Sequence, residues 1–388
     1  MAAGSSGVMG TAGRVPGADP GPGGDLYLGG GPLPVVGPAR IYVCGITPYD
    51  VTHLGHAATF VWADAAASVL RMTGAEVSVC RNVTDVDDVL TRAAEVRGRH
   101  YDEFALSQEY LFEQDMRALS VRRPAHEPRA RHHIPNVVRL GLALLATGSA
   151  YERDGYLYFR GAGVPAALGL DRDAALVLSA EYGDQPDDDR REDPFDVPVW
   201  RPSGASDPAW PSPWGWGRPG WHAECAAMAL TVFGASVDLL AGGADLTFPH
   251  HAYQAAMAQA ATAVSPFARA RLNVAAVMQD GTKMAKSTGN LTLVADLLAD
   301  HSPVAVRLLL LDRSWSQPWE YRPDLLGAAA DRLERLYAAA GRPASSEPAV
   351  AAVSAALLAD LDVPGALEIA EAEGGAAARH ALGVLSLG

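Results

Sequence analysis

The sequence predicts an α/β protein: a doubly wound parallel sheet with an insertion, followed by a C-terminal helical bundle. Three observations carry this expectation. A strand, a helix and a second strand succeed one another between residue 39 and the acidic cluster near 85, which is a βαβ unit. The same alternation returns at "ASVDLLAGGADLTFPHH" and "RLNVAAVMQDGTKMAKS", after a long Pro- and Trp-rich interruption. Towards its end the chain becomes Ala- and Leu-rich with helical spacing. The expected division is a Gly/Pro-rich N-terminus at 1–38, a nucleotide-binding domain at 39–312 with an insertion at about 100–219, and a helical region at 313–388.

Residues 1–38 are mostly Gly, Pro, Ala and Ser with no sustained period, so they are expected to stay disordered. From "ARIYVCG" an apolar strand begins. A turn containing Pro48 follows, then "HLGHAATFVWADAAASVLRMTG", whose apolar spacing is helical and which stops at Gly74. "AEVSVCRNV" reads as the second strand. Helices are expected from about 100 to 150, most clearly in "RLGLALLATGSAYE". The stretch from 151 to 219 reads as irregular, ending in "RPSGASDPAWPSPWGWGRP".

Composition narrows the function classes. No apolar stretch approaches the roughly 20 residues that span a bilayer, and residues 1–38 lack the apolar core of a secretory signal, so no membrane partner and a cytoplasmic location are expected. Three scattered cysteines cannot form a disulfide framework. A formal charge of −14 disfavours a nucleic-acid partner.

Two motifs carry chemistry. "HLGH" places His53 and His56 on one face at a helix start, where free backbone N–H groups and the dipole favour a phosphate. Two imidazoles there can donate to charge building on an α-phosphate. Alone, such a pair is more often structural. Downstream, "KMAKS" sets Lys283 and Lys286 in a Gly-flanked loop, suited to holding a triphosphate while it reacts. Alone, it would read as a solvated loop.

In this order and on this fold the two motifs resemble the "HIGH" and "KMSKS" signatures of class I aminoacyl-tRNA synthetases, with Ala285 replacing a serine. The resemblance implies a Rossmann-like (HUP) synthetase-type domain that activates a carboxylate with ATP, with Mg²⁺ on the departing phosphates. "YVCGITPYD", "GWHAEC" and "FPHH" are similar to the zinc-binding segments of cysteinyl-tRNA synthetase and its relatives. That implies Zn²⁺ on Cys44, Cys225 and His250, with a fourth position open for the thiolate of L-cysteine. Cys80, mid-strand, reads as a buried small hydrophobe. The cysteinyl enzymes have a glutamate four residues after the first histidine, where Gln254 stands here, and an amide is a poor zinc ligand.

About 100 residues follow "KMAKS", short for an anticodon-binding region, so tRNA is not the expected acceptor. The phrases "THLGHAATF", "RNVTD", "DPFDVPVWRP" and "GRPGWHAECAA" resemble the cysteine ligases of mycothiol biosynthesis, a branch of this family that joins cysteine to the amine of glucosaminyl-inositol. Carried over by position, the adenylate would meet Cys44, Gly45, Ile46, Thr47, Thr59, Asn82, Val83, Thr84, Trp221, Gly243, Ala244, Asp245 and Val277. Asp245 would accept from a ribose hydroxyl. Where that branch has "ERGGDP", this chain has "EYGDQP" at 181–186, and Ala252 and Ala285 also depart from it. A different amine or a carrier-protein thiol therefore stands as the alternative acceptor. Cysteinyl-tRNA synthesis and non-catalytic cysteine binding are the further rivals. The chain is expected to act as a monomer.

Overall fold

The computed structural model describes residues 24–49, 51–182, 184–204, 207–285, 289–343 and 346–388. Residues 1–23, Gly183 of "EYGDQP" and Lys286 of "KMAKS" lie outside them. The first described elements correct the expectation of disorder through residue 38: strands β1 (Leu26–Leu28) and β2 (Gly31–Leu33) form an antiparallel hairpin. Leu26, Leu28 and Leu33 turn inward and are almost fully buried. Gly29 and Gly30 take positive φ at the turn, and the Gly29 amide donates to Asp360 Oδ1 at 2.9 Å. Strands of three residues are too short to show a period, and their partner lies far along the chain.

Strand β3 (Ala39–Ile46), helix α1 (Leu54–Met72) and strand β4 (Val77–Val83) form the expected βαβ unit. Most of α1 is buried all round, which is why its apolar residues show little one-sidedness. It ends at Gly74, whose φ of +87° suits only glycine readily. Helices α2 (Asp88–Val96), α3 (Tyr101–Ala118) and α4 (Ile134–Ala146) follow.

The stretch expected to be irregular is a second sheet. Strands β5 (Ala150–Arg153) and β6 (Tyr156–Phe159) precede the short helices α5 (Val164–Ala167) and α6 (Arg172–Glu181). Strands β7 (Val197–Pro202) and β8 (Gly217–Pro219) complete an antiparallel sheet in the order β5-β6-β7-β8. Prolines and strands of three to six residues hide it from a periodicity reading.

Helix α7 (Trp221–Phe233), strand β9 (Val237–Gly243), helix α8 (Ala252–Thr262) and strand β10 (Ala268–Val274) return the chain to the parallel sheet, whose order is β10-β9-β3-β4. Strands β11 (Val277–Gln279) and β12 (Thr282–Lys283) form a hairpin, and helices α9 (Val294–Asp300) and α10 (Pro303–Leu311) follow. Strand β13 (Trp319–Glu320) pairs with β11. The chain ends in helices α11 (Asp324–Ala340), α12 (Glu347–Leu358), α13 (Val363–Glu373) and α14 (Gly375–Leu385).

Two cores cover the two faces of the parallel sheet. One joins α1 to α10 and the terminal bundle, the other joins α4, α7 and α8 to the inserted sheet. Arg307, fully buried, ties the first core together: it pairs with Asp64 Oδ2 at 2.6 Å and donates to the carbonyls of Leu385 at 2.7 Å and Leu119 at 2.8 Å. The boundary drawn at 313 therefore runs through a continuous core. Among the described residues no helix is long and apolar enough to cross a membrane.

Candidate active site

The parallel strands end at a cleft of about 560 Å³. Central strand β3 delivers Cys44 and Gly45 into it, where its register against β4 shifts between Val43 and Ile46. Gly45 is required by packing: a Cβ there would lie 1.7 Å from the Asn82 carbonyl oxygen. The Gly45 amide donates to Asn82 Oδ1 at 3.0 Å, and Asn82 Nδ2 reaches Thr84 Oγ1 at 3.0 Å and Cys225 Sγ at 3.5 Å. One buried amide thus links β3, β4 and α7.

Helix α7 can start close to the cleft because its N-cap is Gly220, where a Cβ would meet the Pro198 carbonyl oxygen at 1.8 Å. Its first turns carry Trp221, His222 and Cys225. Cys44 Sγ, Cys225 Sγ and a ring nitrogen of His250 lie within 4.8 Å of one another, and all three residues are buried. Two thiols and an imidazole at this spacing are a fitting donor set for zinc. The ring of His250 stacks on Trp221 at 4.0 Å, and its Nδ1 lies 2.9 Å from His222 Nδ1, which fixes the orientation of the ring. Burial, reinforced by His222 and His251, holds His250 well below the usual imidazole range, so it is neutral at pH 7. Burial likewise lowers His222 to about 4. The Cys44 thiol is pushed up, chiefly by burial and then by Cys225 beside it. A divalent cation reverses that preference by binding the thiolate. Gln254 Oε1 accepts from Cys44 Sγ at 3.5 Å and its Nε2 donates to the Cys225 carbonyl at 3.4 Å, which places the amide beside the three candidate ligands.

His53 and His56 stack with ring centroids 3.8 Å apart at the N-terminus of α1. Gly55 makes room for that stack, since a Cβ would lie 3.0 Å from the His53 ring. The backbone explains how the downstream loop meets the first motif: Leu54 N donates to Thr292 O at 2.9 Å and Val294 N to Thr52 O at 3.0 Å. Asn290 draws the loop ends together, accepting from the Ala285 amide at 3.1 Å and donating to Thr282 Oγ1 at 3.0 Å. Lys283 reaches across to Asp245 Oδ2 at 2.6 Å.

Of the other residues singled out from the sequence, Ile46, Thr47, Thr59, Gly243, Ala244 and Val277 line the cleft. Val83 does not. It is buried between Asn82 and Thr84, and alternation along β4 turns it to the other face. Lys286 lies outside the described residues. Cys80 is buried in β4 and stands outside the zinc-type cluster. The sequence reading missed Tyr49, Phe60, His222, Asn290 and the wall contributed by Glu181 and Tyr182. His222 was visible inside "GWHAEC", but its contact with His250 is tertiary. Asp184, in the same altered stretch, is locked to Arg191 by bonds of 2.6 and 3.0 Å.

Residues 35–331 match the family described as the catalytic domain of class I (C) tRNA synthetases. A protein of Frankia casuarinae named L-cysteine:1D-myo-inositol 2-amino-2-deoxy-alpha-D-glucopyranoside ligase is 43% identical over 356 residues, covering 90% of this chain and 77% of its own. A protein of the same name from Streptomyces griseus subsp. griseus is 43% identical over 352 residues, covering 89% and 85%. Among solved structures, the methionyl-tRNA synthetase of Mycobacterium tuberculosis in complex with methionyl-adenylate superposes with a TM-score of 0.60 at 19% identity, covering 91% of this chain and 82% of that one. A putative arginyl-tRNA synthetase from Campylobacter jejuni gives 0.57 at 13% identity, covering 94% and 92%. These two likenesses show the synthetase fold.

Proposed function

The chain belongs to the class I (C) tRNA synthetase catalytic-domain family, and from that premise we propose that it is an ATP-dependent ligase that activates L-cysteine and passes it to the amine of glucosaminyl-inositol. The observation that carries this reading is that Cys44, Cys225 and His250 share one cleft with the His53–His56 stack. Zinc on the first three would supply an open position for a soft thiolate, a discrimination from serine that packing alone could not provide.

The cysteine carboxylate attacks the α-phosphorus of ATP; the new O–P bond forms as the bond to pyrophosphate breaks, giving cysteinyl-AMP. His53 and His56 donate to the α-phosphoryl oxygens as charge builds there. Lys283 and Lys286 hold the leaving phosphates, which carry Mg²⁺ in with the nucleotide. Asp245 accepts from the ribose, so ATP entry exchanges the Lys283–Asp245 ion pair for two ligand contacts. In the second half, the acceptor amine attacks the carbonyl carbon, loses a proton and expels AMP. The amine must be neutral to attack, so this step slows below its pKa.

The four arginines of α11–α14 and the loop after α11 face nine acidic side chains in the same stretch, an unfavourable surface for tRNA. The reading is of a monomer acting on small molecules. A second acceptor is favoured by one feature: Glu181 and Tyr182 of the altered "EYGDQP" stretch form a wall of the cleft, while Asp184 is held by Arg191.

The test is cysteine-dependent ATP–pyrophosphate exchange, followed in the same tube by AMP release on adding glucosaminyl-inositol. Exchange with amine-stimulated AMP and a new cysteinyl amide is the expected result. Exchange without stimulation moves the acceptor elsewhere, and absence of exchange overturns the ligase.

A further inference from the structure

A second cavity, of about 150 Å³, lies between α1, the edge of the parallel sheet and the segment 121–125. That is room for a group about the size of benzene. Val43, Ala63 and Ala67 give it a buried apolar wall, and Val77 and Val79 of β4 extend that wall towards the surface.

Four guanidinium groups border the cavity. Arg81 is paired with Glu113 and Glu127, and Arg123 with Glu127 at 3.1 Å. Arg71 and Arg122 have no carboxylate partner among the described residues. Arg71 Nη1 is buried with no hydrogen-bond partner. Asp64, the one carboxylate on the lining, is occupied by Arg307 at 2.6 Å and by the Arg122 amide at 3.1 Å. Burial, together with Arg122 nearby and against the pull of Asp64, holds Arg71 below the usual guanidinium range. Asp64 offsets part of that charge, but two guanidinium groups without an ion-pair partner among the described residues, beside an apolar pocket, still leave a net positive charge that an anion would fill.

We infer that this cavity is a binding site, separate from the catalytic cleft, for a small carboxylate with a branched apolar tail, its carboxylate held by Arg71 and Arg122. A guanidinium presents a planar fork that matches a carboxylate, and the volume is far too small for a nucleotide. Phe60 lines both this cavity and the catalytic cleft, so an occupant bears on the helix that carries His53 and His56.

The experiment is calorimetric titration of the full chain with isovalerate, with its neutral amide isovaleramide, and with sulfate, at fixed ionic strength. Isovalerate should bind saturably at one site per chain. Isovaleramide and sulfate should each bind at least about tenfold more weakly, as loss of one charge-assisted contact or of the apolar tail requires. Arg71→Gln and Arg122→Gln should each weaken isovalerate by about tenfold while cysteine-dependent pyrophosphate exchange persists. Ala67→Val, which narrows the pocket and leaves both arginines, should weaken isovalerate more than acetate. No saturable binding of isovalerate, equal binding of the amide or of sulfate, unchanged affinity in both arginine variants, or equal loss for acetate and isovalerate in Ala67→Val would each overturn the assignment. If any variant unfolds, its thermal transition shows it, and the ligand comparison on the parent chain still decides.

Discussion

Replacing Cys225 by serine tests the metal reading at one atom. Cys225 is 1% exposed, and its Sγ lies 3.5 Å from Asn82 Nδ2 and within 4.8 Å of Cys44 Sγ and a ring nitrogen of His250. Serine is close in size, so the packing change is small and the cost of burying its hydroxyl is on the order of 1 kcal/mol. The metal effect is larger. A ligand bound only by the folded state stabilises it by about 2.7 kcal/mol at a concentration one hundred times its Kd, which for a chain of this size raises the thermal midpoint by roughly 3 °C. The parent should show that rise on adding zinc, and Cys225→Ser should show almost none. Metal analysis after dialysis should find about one zinc per parent chain and next to none in the variant. Because burial keeps the Cys44 thiol protonated, zinc must displace protons, and its apparent affinity should climb as pH rises. Cys80→Ser is the control: Cys80 is as buried, yet lies outside the cluster, so it should retain zinc. Equal zinc content and equal zinc-dependent stabilisation in the parent and Cys225→Ser would refute the site. Loss of zinc from Cys80→Ser alone would refute the choice of ligands.

Further outcomes follow from the same geometry. Gly45→Ala sets a Cβ 1.7 Å from the Asn82 oxygen, and should cost about 1–3 kcal/mol in urea unfolding and depress pyrophosphate exchange; a neutral result would mean the β3–β4 contact yields freely. Asp245→Asn removes the proposed charged ribose acceptor, so KM for ATP should rise by about tenfold or more with KM for cysteine little changed, read by exchange kinetics. Burial, aided by Arg271, lowers His251 to about 4, beneath its unfolded value of 6.5. The unfolded chain therefore takes up the proton first as pH falls through that window, and stability lost between pH 7 and 5 should include about 2 kcal/mol from this group. The loss should shrink in His251→Gln, and an unchanged pH slope would remove His251 from the account.

Much of the cleft was legible in short local patterns. A run such as "YVCG" states both a strand and the residue at its end, and "HLGH" states a helix start and two rings on one face, because both depend on periods of two and 3.6 residues. Parallel connections place strand ends together, so Cys44, Asn82 and Gly243 could be expected at one edge of the sheet. The fold class, and the family that the two signatures indicate, follow from that level.

Other features needed the folded chain. The hairpin at 26–33 is held by Asp360 and by the core, and the four strands of the insertion pair across Pro-rich loops; neither has a local period long enough to read. Val83 was carried over with its neighbours, but strand alternation turns it from the cleft. The His222–His250 contact, the Lys283–Asp245 pair and the Gln254 amide against Cys44 join residues 28, 38 and 210 positions apart. By itself the sequence determined which chemical groups the chain can bring to a reaction, since residue type and local spacing are its own content. Tertiary structure alone decided which of those groups meet, because distances between remote residues are set by how the buried faces of whole elements pack.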